Sequence, residues 1–245
     1  MSPSLGRASL RRSQRKRKPE NNDLDKRLVT ILDPTSAASE AYRTLRTNLL
    51  HAFVDEPPKV IVLTSPSKDE GKSVTCINLG IVLAQASRRT LILDCDLRRP
   101  IMHKFFGMPN IHGVTDVLAG ERELQEVWHE PLTGLKVANA GHVPPNPTEL
   151  LSSQSLSELL SSVREEFDYV LVDTPPIGLV SDPAVIAARG DGVLLVVDAQ
   201  KTRKVVVQQA MHNLNAVGAK VLGTVMNNVM PSRGDYYYGS NAAYQ

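Results

Sequence analysis

Two cysteines, one tryptophan and an aromatic content of 4% in 245 residues exclude several classes of protein at the outset. Cys76 and Cys95 cannot build a disulfide framework, and a reducing compartment suits them. Six histidines are scattered without metal-ligand spacing, and two lone cysteines cannot complete a zinc site. No stretch reaches the roughly 20 apolar residues that span a bilayer. No apolar run follows the first positive charges, so no secretory signal is read, and the protein is expected to be cytoplasmic. Wholesale disorder is excluded too, because 42% of the residues are hydrophobic and the chain is long enough to bury a core.

Charge of one sign is also missing from the sum, since 28 basic side chains face 26 acidic ones. The balance hides a division. Residues 1–18 hold Arg7, Arg11, Arg12, Arg15, Lys16, Arg17 and Lys18 with no acid, leaving 21 basic against 26 acidic groups in the rest. A basic tail is attached to an acidic body. Residues 1–27 are low in apolar content and are expected to be a mobile tail. Residues 231–245, rich in Ser, Gly, Asn, Ala and Tyr, are expected to form a second one. Residues 28–230 between them read as a single domain.

Within that domain the period of apolar residues alternates. Ala41, Leu45, Leu49 and Phe53 recur every four positions and predict a helix over 36–53. Short apolar runs at 60–63, 90–93, 169–172, 193–197 and 221–226 predict buried strands. Helical patterns at 72–86, 155–167, 182–189 and 203–217 separate most of them. Ser155 and Glu158 suggest a capping box, and Asp182-Pro183 an N-cap with a first-turn proline. Apolar strands alternating with helices predict an α/β fold, a mostly parallel sheet with helices on both faces. Ligands of such sheets bind beyond the carboxyl ends of the strands.

Three strand ends carry chemistry. The first runs through Thr64-Ser65-Pro66-Ser67-Lys68-Asp69-Glu70-Gly71-Lys72-Ser73 into a helix, which is a P-loop NTPase-like Walker A arrangement. Backbone N–H groups there would wrap phosphates, Lys72 would offset β/γ charge, and Ser73 would ligate Mg²⁺. Val74 continues into the helix. The second ends in Asp94-Cys95-Asp96-Leu97-Arg98-Arg99-Pro100, whose two carboxylates need a cation between them, and a Mg²⁺-nucleotide supplies one. A solvated turn with helix-capping acids is the plain alternative. The third ends in Asp173-Thr174-Pro175-Pro176, a Walker B element whose carboxylate would hold a metal-bound water. Each is weak alone; all three on one sheet indicate binding of a nucleoside triphosphate with Mg²⁺, which the resemblance below makes ATP.

These motifs, in this order, resemble the bacterial tyrosine kinases of the CpsD/CapB polysaccharide-synthesis family, relatives of the MinD/ParA partitioning ATPases. The resemblance covers roughly residues 30–245, including Gly113-Val114-Thr115-Asp116-Val117-Leu118 and the stretch from Pro144 to Leu150. It implies that Asp94, Asp96 and Asp173 act in Mg²⁺ binding and catalysis, with Asp94 or Asp96 as base. It implies a nucleotide loop of Ser67 to Val74, and an adenine-reading amide at Asn227, although Asn after a strand is also routine turn chemistry. Glu40, Arg43 and Arg46 match the family's E-x-x-R-x-x-R helix, which meets a neighbouring subunit and builds a ring. A solvated helix with local ion pairs is the alternative for that pattern. Tyr236, Tyr237, Tyr238 and Tyr244 fall within the last ten residues, and the family phosphorylates such a cluster on the adjacent subunit. A sticky interaction tail is the alternative there.

The resemblance implies a protein-tyrosine autokinase acting in capsule or exopolysaccharide synthesis, with a separate membrane-anchored activator of the polysaccharide co-polymerase type. The basic N-terminal tail would then lie near an anionic membrane face or the activator, and nucleic acid is not expected. Two departures stand out. Asp69 replaces a glycine, bringing a carboxylate near the phosphates and removing a residue free to adopt positive φ. The signature lysine of partitioning ATPases would fall at Ser67, which favours the kinase over a MinD/ParA-like switch. A non-catalytic nucleotide-binding scaffold is the third reading, encouraged only by Asp69.

Overall fold

Residues 24–52 and 57–230 are described by a computed structural model. The strands are β1 (Val60–Thr64), β2 (Thr90–Asp94), β3 (Trp128–Leu132), β4 (Leu135–Ala138), β5 (Tyr169–Asp173), β6 (Gly192–Asp198) and β7 (Val221–Asn227). They form one sheet in the order β3-β4-β2-β5-β1-β6-β7. All neighbours run parallel except the edge pair β3 and β4. The expected mostly parallel α/β sheet is therefore present. Its central strands are buried on both faces, which is why their sequences are continuous apolar runs rather than alternating ones.

Strand pleating divides those runs between two cores. Ile61, Leu63, Ile92, Leu171, Leu194 and Val196 face one side. That side is covered by α1 (Val29–Leu32), α2 (Ala37–His51), α3 (Lys72–Gln85) and α4 (Met102–Phe105). Val60, Val62, Leu91, Leu93, Val170, Val172 and Val193 face the other. There the cover is α5 (Val114–Leu118), α6 (Leu124–Val127), α7 (Pro147–Ser152), α8 (Gln154–Glu166), α9 (Asp182–Ala187) and α10 (Lys204–Ala216). Helix α3 is buried nearly all round, as an apolar helix without a polar face must be. Gly80 lets it lie close on the sheet, since a methyl there would come within 2.7 Å of Ile92 Cδ1.

Several local expectations shift. Helix α2 runs over Ala37–His51, with Ser36 capping it by accepting from the Ser39 N–H at 3.2 Å. Phe53 lies outside the described residues. Ser155 does not cap α8, because the helix already begins at Gln154 behind Ser153. Asp182 is the first residue of α9 rather than its cap, and its carboxylate is drawn off to Arg98 and Thr148. The hairpin of β3 and β4 had no expectation at all. Pro131 within β3 obscures the strand pattern, and an edge strand is where proline is tolerated.

Residues 24–27, expected to belong to the N-terminal tail, are bonded to the domain instead. Asp25 N–H donates to Phe105 O at 3.0 Å, and the Asn78 amide donates to Arg27 O at 2.9 Å. Asn78 is fully buried in α3 and also accepts from the Thr30 N–H (3.2 Å) and hydroxyl (2.8 Å). One side chain thus fastens the segment before α2 to the helix that carries the nucleotide motif. Asn78→Ala leaves those groups unsatisfied and should cost about 1–3 kcal/mol. Urea unfolding checks this, and amide exchange at 28–32 should accelerate more than elsewhere. A midpoint indistinguishable from the unchanged chain would show that Asn78 is not the fastener.

Candidate functional site

β1 ends at Thr64 and α3 begins at Lys72, so the seven intervening residues must turn the chain back over the sheet. Two of them take left-handed backbone. Gly71, the N-cap of α3, has φ +85°, and Asp69 has φ +60°. Asp69 therefore adopts the very conformation its side chain was expected to forfeit, which short polar residues do at a modest penalty. Beneath the loop the Asn227 amide donates to Glu70 O at 3.1 Å. A Cβ on Gly71 would lie 1.9 Å from Asn227 Nδ2, so glycine is required there twice over. The Asn227 carbonyl oxygen accepts from the Asn228 N–H at 3.0 Å, so its amide is engaged with the protein at both ends. Glu70 is buried and accepts from the Asp198 N–H at 3.2 Å, and burial raises its carboxyl above the usual range.

The three strand-end carboxylates converge under this loop. Asp94 and Asp173 are register partners on β2 and β5, and both are fully buried. Lys72 Nζ lies 2.8 Å from Asp173 Oδ1 and 3.9 Å from Asp96 Oδ2. The Ser73 hydroxyl donates to Asp173 Oδ2 at 2.6 Å. Asp94 accepts from the N–H groups of Asp96 and Met102 at 3.2 and 3.4 Å. The cation that the paired aspartates were expected to need is, in this structure, the Lys72 ammonium.

One ammonium does not balance three buried carboxylates. Burial holds Asp94 well above the usual carboxylate range, Asp173 beside it pushes further, and Lys72 opposes both. Burial raises Asp96 as well, with Lys72 again opposing. Burial pulls Lys72 down, but Asp173, Asp96 and Asp94 more than reverse this and keep it charged. The residual negative charge suits a further cation. Ser73, Asp94, Asp96 and Asp173 offer hard oxygen donors of the kind Mg²⁺ takes. Among the described residues no three acidic, His or Cys side chains form a cage for an ion. Mg²⁺ seldom uses one; it keeps its waters and binds one or two carboxylates together with substrate phosphates. The donor set fits that mode.

Above the cluster opens a cavity of about 700 Å³. Lys68, Asp69, Glu70, Gly71, Lys72, Ser73, Val74, Asp96 and Asn227 line it, whereas Ser67, Asp94 and Asp173 do not. Arg27, Arg98, Arg99 and Leu179 line it too and had not been expected. Arg98 and Arg99 stand within the aspartate-bearing stretch, so their signal was adjacency. Arg27 gave none: it is brought in by a bidentate pair with Asp25 (2.9 and 2.7 Å) and by lying 4.7 Å over the Phe105 ring.

Glu40, Arg43 and Arg46 sit on α2, away from the cavity. Arg43 pairs with Glu40 at 2.9 Å and donates to Pro34 O, while Arg46 donates to Val82 O of α3 at 3.1 Å. Tyr236, Tyr237, Tyr238 and Tyr244, and the basic cluster of residues 1–18, lie outside the described residues. Among the described residues no helix is long and apolar enough to cross a membrane.

A family model described as an AAA domain matches residues 58–227. "Tyrosine-protein kinase YwqD" of Bacillus subtilis is 37% identical over 91% of this chain and 96% of its own length. "Putative tyrosine-protein kinase CapB" of Staphylococcus aureus is 34% identical over 85% of this chain and 93% of its own. "Putative tyrosine-protein kinase EpsB" of Ralstonia solanacearum is 38% identical over 84% of this chain, which spans only 28% of that longer relative. Among solved structures, the kinase domain of Escherichia coli tyrosine kinase ETK superposes with a TM-score of 0.83 at 32% identity, covering 90% of this chain and 85% of that one. MinD from Pyrococcus horikoshii, complexed with Mg-ADP, superposes at 0.61 with 22% identity, covering 71% and 72% of the two chains. At that identity the likeness is one of fold.

The loop geometry carries its own test. Gly71→Ala should destabilise the fold by about 1–2 kcal/mol, because alanine resists left-handed backbone. Part of the loss comes from the Asn227 amide, so Asn227→Ala should relieve it in the double variant. Strictly additive losses in thermal unfolding would show that the amide does not press on residue 71. Asp69→Gly should stabilise by up to about 1 kcal/mol, since glycine adopts φ +60° without strain.

Proposed function

The chain belongs to the bacterial tyrosine-protein kinases, and on that premise we propose that it transfers the γ-phosphoryl group of ATP to tyrosines in the C-terminal tail of a neighbouring copy. The observation that carries this reading is the buried Lys72 ammonium, held by Asp173 at the floor of a cavity closed by the Walker A loop. A partitioning-type switch would share that floor. Ser67 in place of its signature lysine, and four tyrosines within the last ten residues, support the kinase.

The steps follow from the groups present. Lys72 and the loop N–H groups hold the triphosphate of ATP. Ser73, Asp94, Asp96 and Asp173 are the residues that would hold Mg²⁺, which when bound draws charge from the β- and γ-phosphate oxygens. Asp96 lines the cavity while Asp94 is sealed beneath it, so Asp96 is the better-placed base. Its raised affinity for a proton brings it closer to a phenol, whose ordinary pKa is near 10. The tyrosine oxygen bonds to the γ-phosphorus, the bond from that phosphorus to the β-phosphate oxygen breaks, and the phenolic proton passes to Asp96. ADP and phosphotyrosine are left. Catalysis is positioning and charge stabilisation rather than covalent chemistry by the protein.

Glu40, Arg43 and Arg46 would carry the contact between copies in a ring, through α2. A separate membrane-anchored activator and control of capsule or exopolysaccharide synthesis complete the reading, supported by the family and by the basic residues 1–18. Each phosphorylated tyrosine adds roughly −1.5 to −2 charge, enough to loosen an assembly built on ion pairs.

Incubation of the full chain with Mg²⁺, labelled ATP and an activator fragment should label tyrosine. The label should vanish in Lys72→Met and in the fourfold Tyr→Phe variant of Tyr236, Tyr237, Tyr238 and Tyr244. Phosphate release without protein label, activator present, would instead establish a switch ATPase. Sizing before and after labelling should show oligomers giving way to monomers.

A further inference from the structure

The stretch from Pro144 to Leu150 has no part in the scheme above, yet its Thr148 reaches the cavity through two other residues. Arg98 lines the cavity with 38% of its side chain exposed, and its partner Asp182 is completely buried. Nε of Arg98 donates to Asp182 Oδ2 at 2.6 Å, and Nη2 donates to Asp182 Oδ1 at 3.1 Å and to the Thr148 hydroxyl at 2.8 Å. The Thr148 hydroxyl in turn donates to Asp182 Oδ1 at 2.6 Å. The three residues come from the loop after β2, from α7 and from α9, and they close a ring of hydrogen bonds.

A buried carboxylate needs a partner, but Thr148 and the fork geometry go beyond charge balance. They fix the plane of a guanidinium that is free to rotate about its stem, and they leave Nη1 without a protein bond among the described residues. A planar fork with one edge held, on a residue that lines a cavity, is a recognition device for phosphate oxygens. Its place within the cavity is also defined. Arg98 follows Asp96 by two residues, and Asp96 lies 3.9 Å from Lys72. Lysines in such loops reach the β- and γ-phosphates, so Arg98 stands at the γ end.

We propose that Arg98 binds the γ-phosphate of ATP and that Thr148 and Asp182 are positioning residues that aim it. This rests on the reading of the cavity as an ATP site. It assigns a task to Thr148, and it makes the site responsive to whether ATP or ADP is bound.

The test is equilibrium binding of ATP and of ADP, each with Mg²⁺, to the full chain and its variants. Arg98→Ala should lower the ratio of ATP to ADP affinity by about tenfold, the worth of a charged hydrogen bond. Thr148→Val and Asp182→Asn should each lower the same ratio by about three- to tenfold and leave ADP affinity within about twofold. Neither should add to the loss in Arg98→Ala. A ring that merely tied α7 and α9 to the sheet would weaken ATP and ADP alike, and that outcome overturns the proposal, as does an unchanged ratio in Arg98→Ala. If Asp182→Asn fails to fold, Thr148→Val decides, since it keeps the volume and the ion pair. Tyrosine labelling of the unchanged chain is scored separately: its absence would sink the transfer reaction while the affinity ratio still judged the role of Arg98.

Discussion

Burying three acidic groups at the ends of two neighbouring strands is the constraint from which the rest of the structure can be reconstructed. Asp94 and Asp173 are locked opposite one another by the register of β2 and β5, and neither can turn to water. Their mutual repulsion has to be met by a cation that also reaches Asp96. Lys72 meets it only because α3 starts at that residue, and α3 starts there only because Gly71 accepts a left-handed backbone. The sheet order, the loop and the first turn of one helix are thus one electrostatic solution. Removing any part leaves a charge buried without a partner, which proteins tolerate poorly.

The sequence shows the framework where a residue's neighbours in the chain determine its environment. The four central strands, the edge strand β7 and helices α3, α8, α9 and α10 announce themselves by apolar runs, periodicity and capping residues. Boundaries shift where a side chain finds a distant partner. Asp182 has the composition of a cap, but Arg98, 84 residues away, takes its carboxylate. Ser155 and Glu158 have the spacing of a capping box, but α8 starts before them. The hairpin of β3 and β4 was hidden because Pro131 and partly exposed side chains give it neither alternation nor an unbroken apolar run. Residues 24–27 were hidden because their anchors, Asn78 and Phe105, lie in other elements.

The site divides along the same line. Lys72, Ser73, Asp96 and Asp173 were legible because each follows a strand, and strand ends in such sheets point to ligands. Asp69 was misjudged by residue type: aspartate is uncommon at positive φ but well able to adopt it. Asn227 lines the cavity, and its amide also bonds the loop itself, a partner that turn chemistry after a strand does not announce. No local pattern announces Arg27 at the cavity, where it stacks on Phe105 far away in sequence, or ties Thr148 to Arg98, 50 residues away.

The bond from Asn227 to Glu70 spans 157 residues. Glu70 belongs to the loop after β1, and Asn227 closes β7, the last strand among the described residues. A chain emerging from the ribosome therefore carries its phosphate-binding loop unbraced while those 157 residues are made, although β1 and α3 are already present. The brace arrives with the final strand, a few residues before the tyrosine-bearing tail begins. The order of synthesis thus couples completion of the loop to the imminent appearance of its own proposed target.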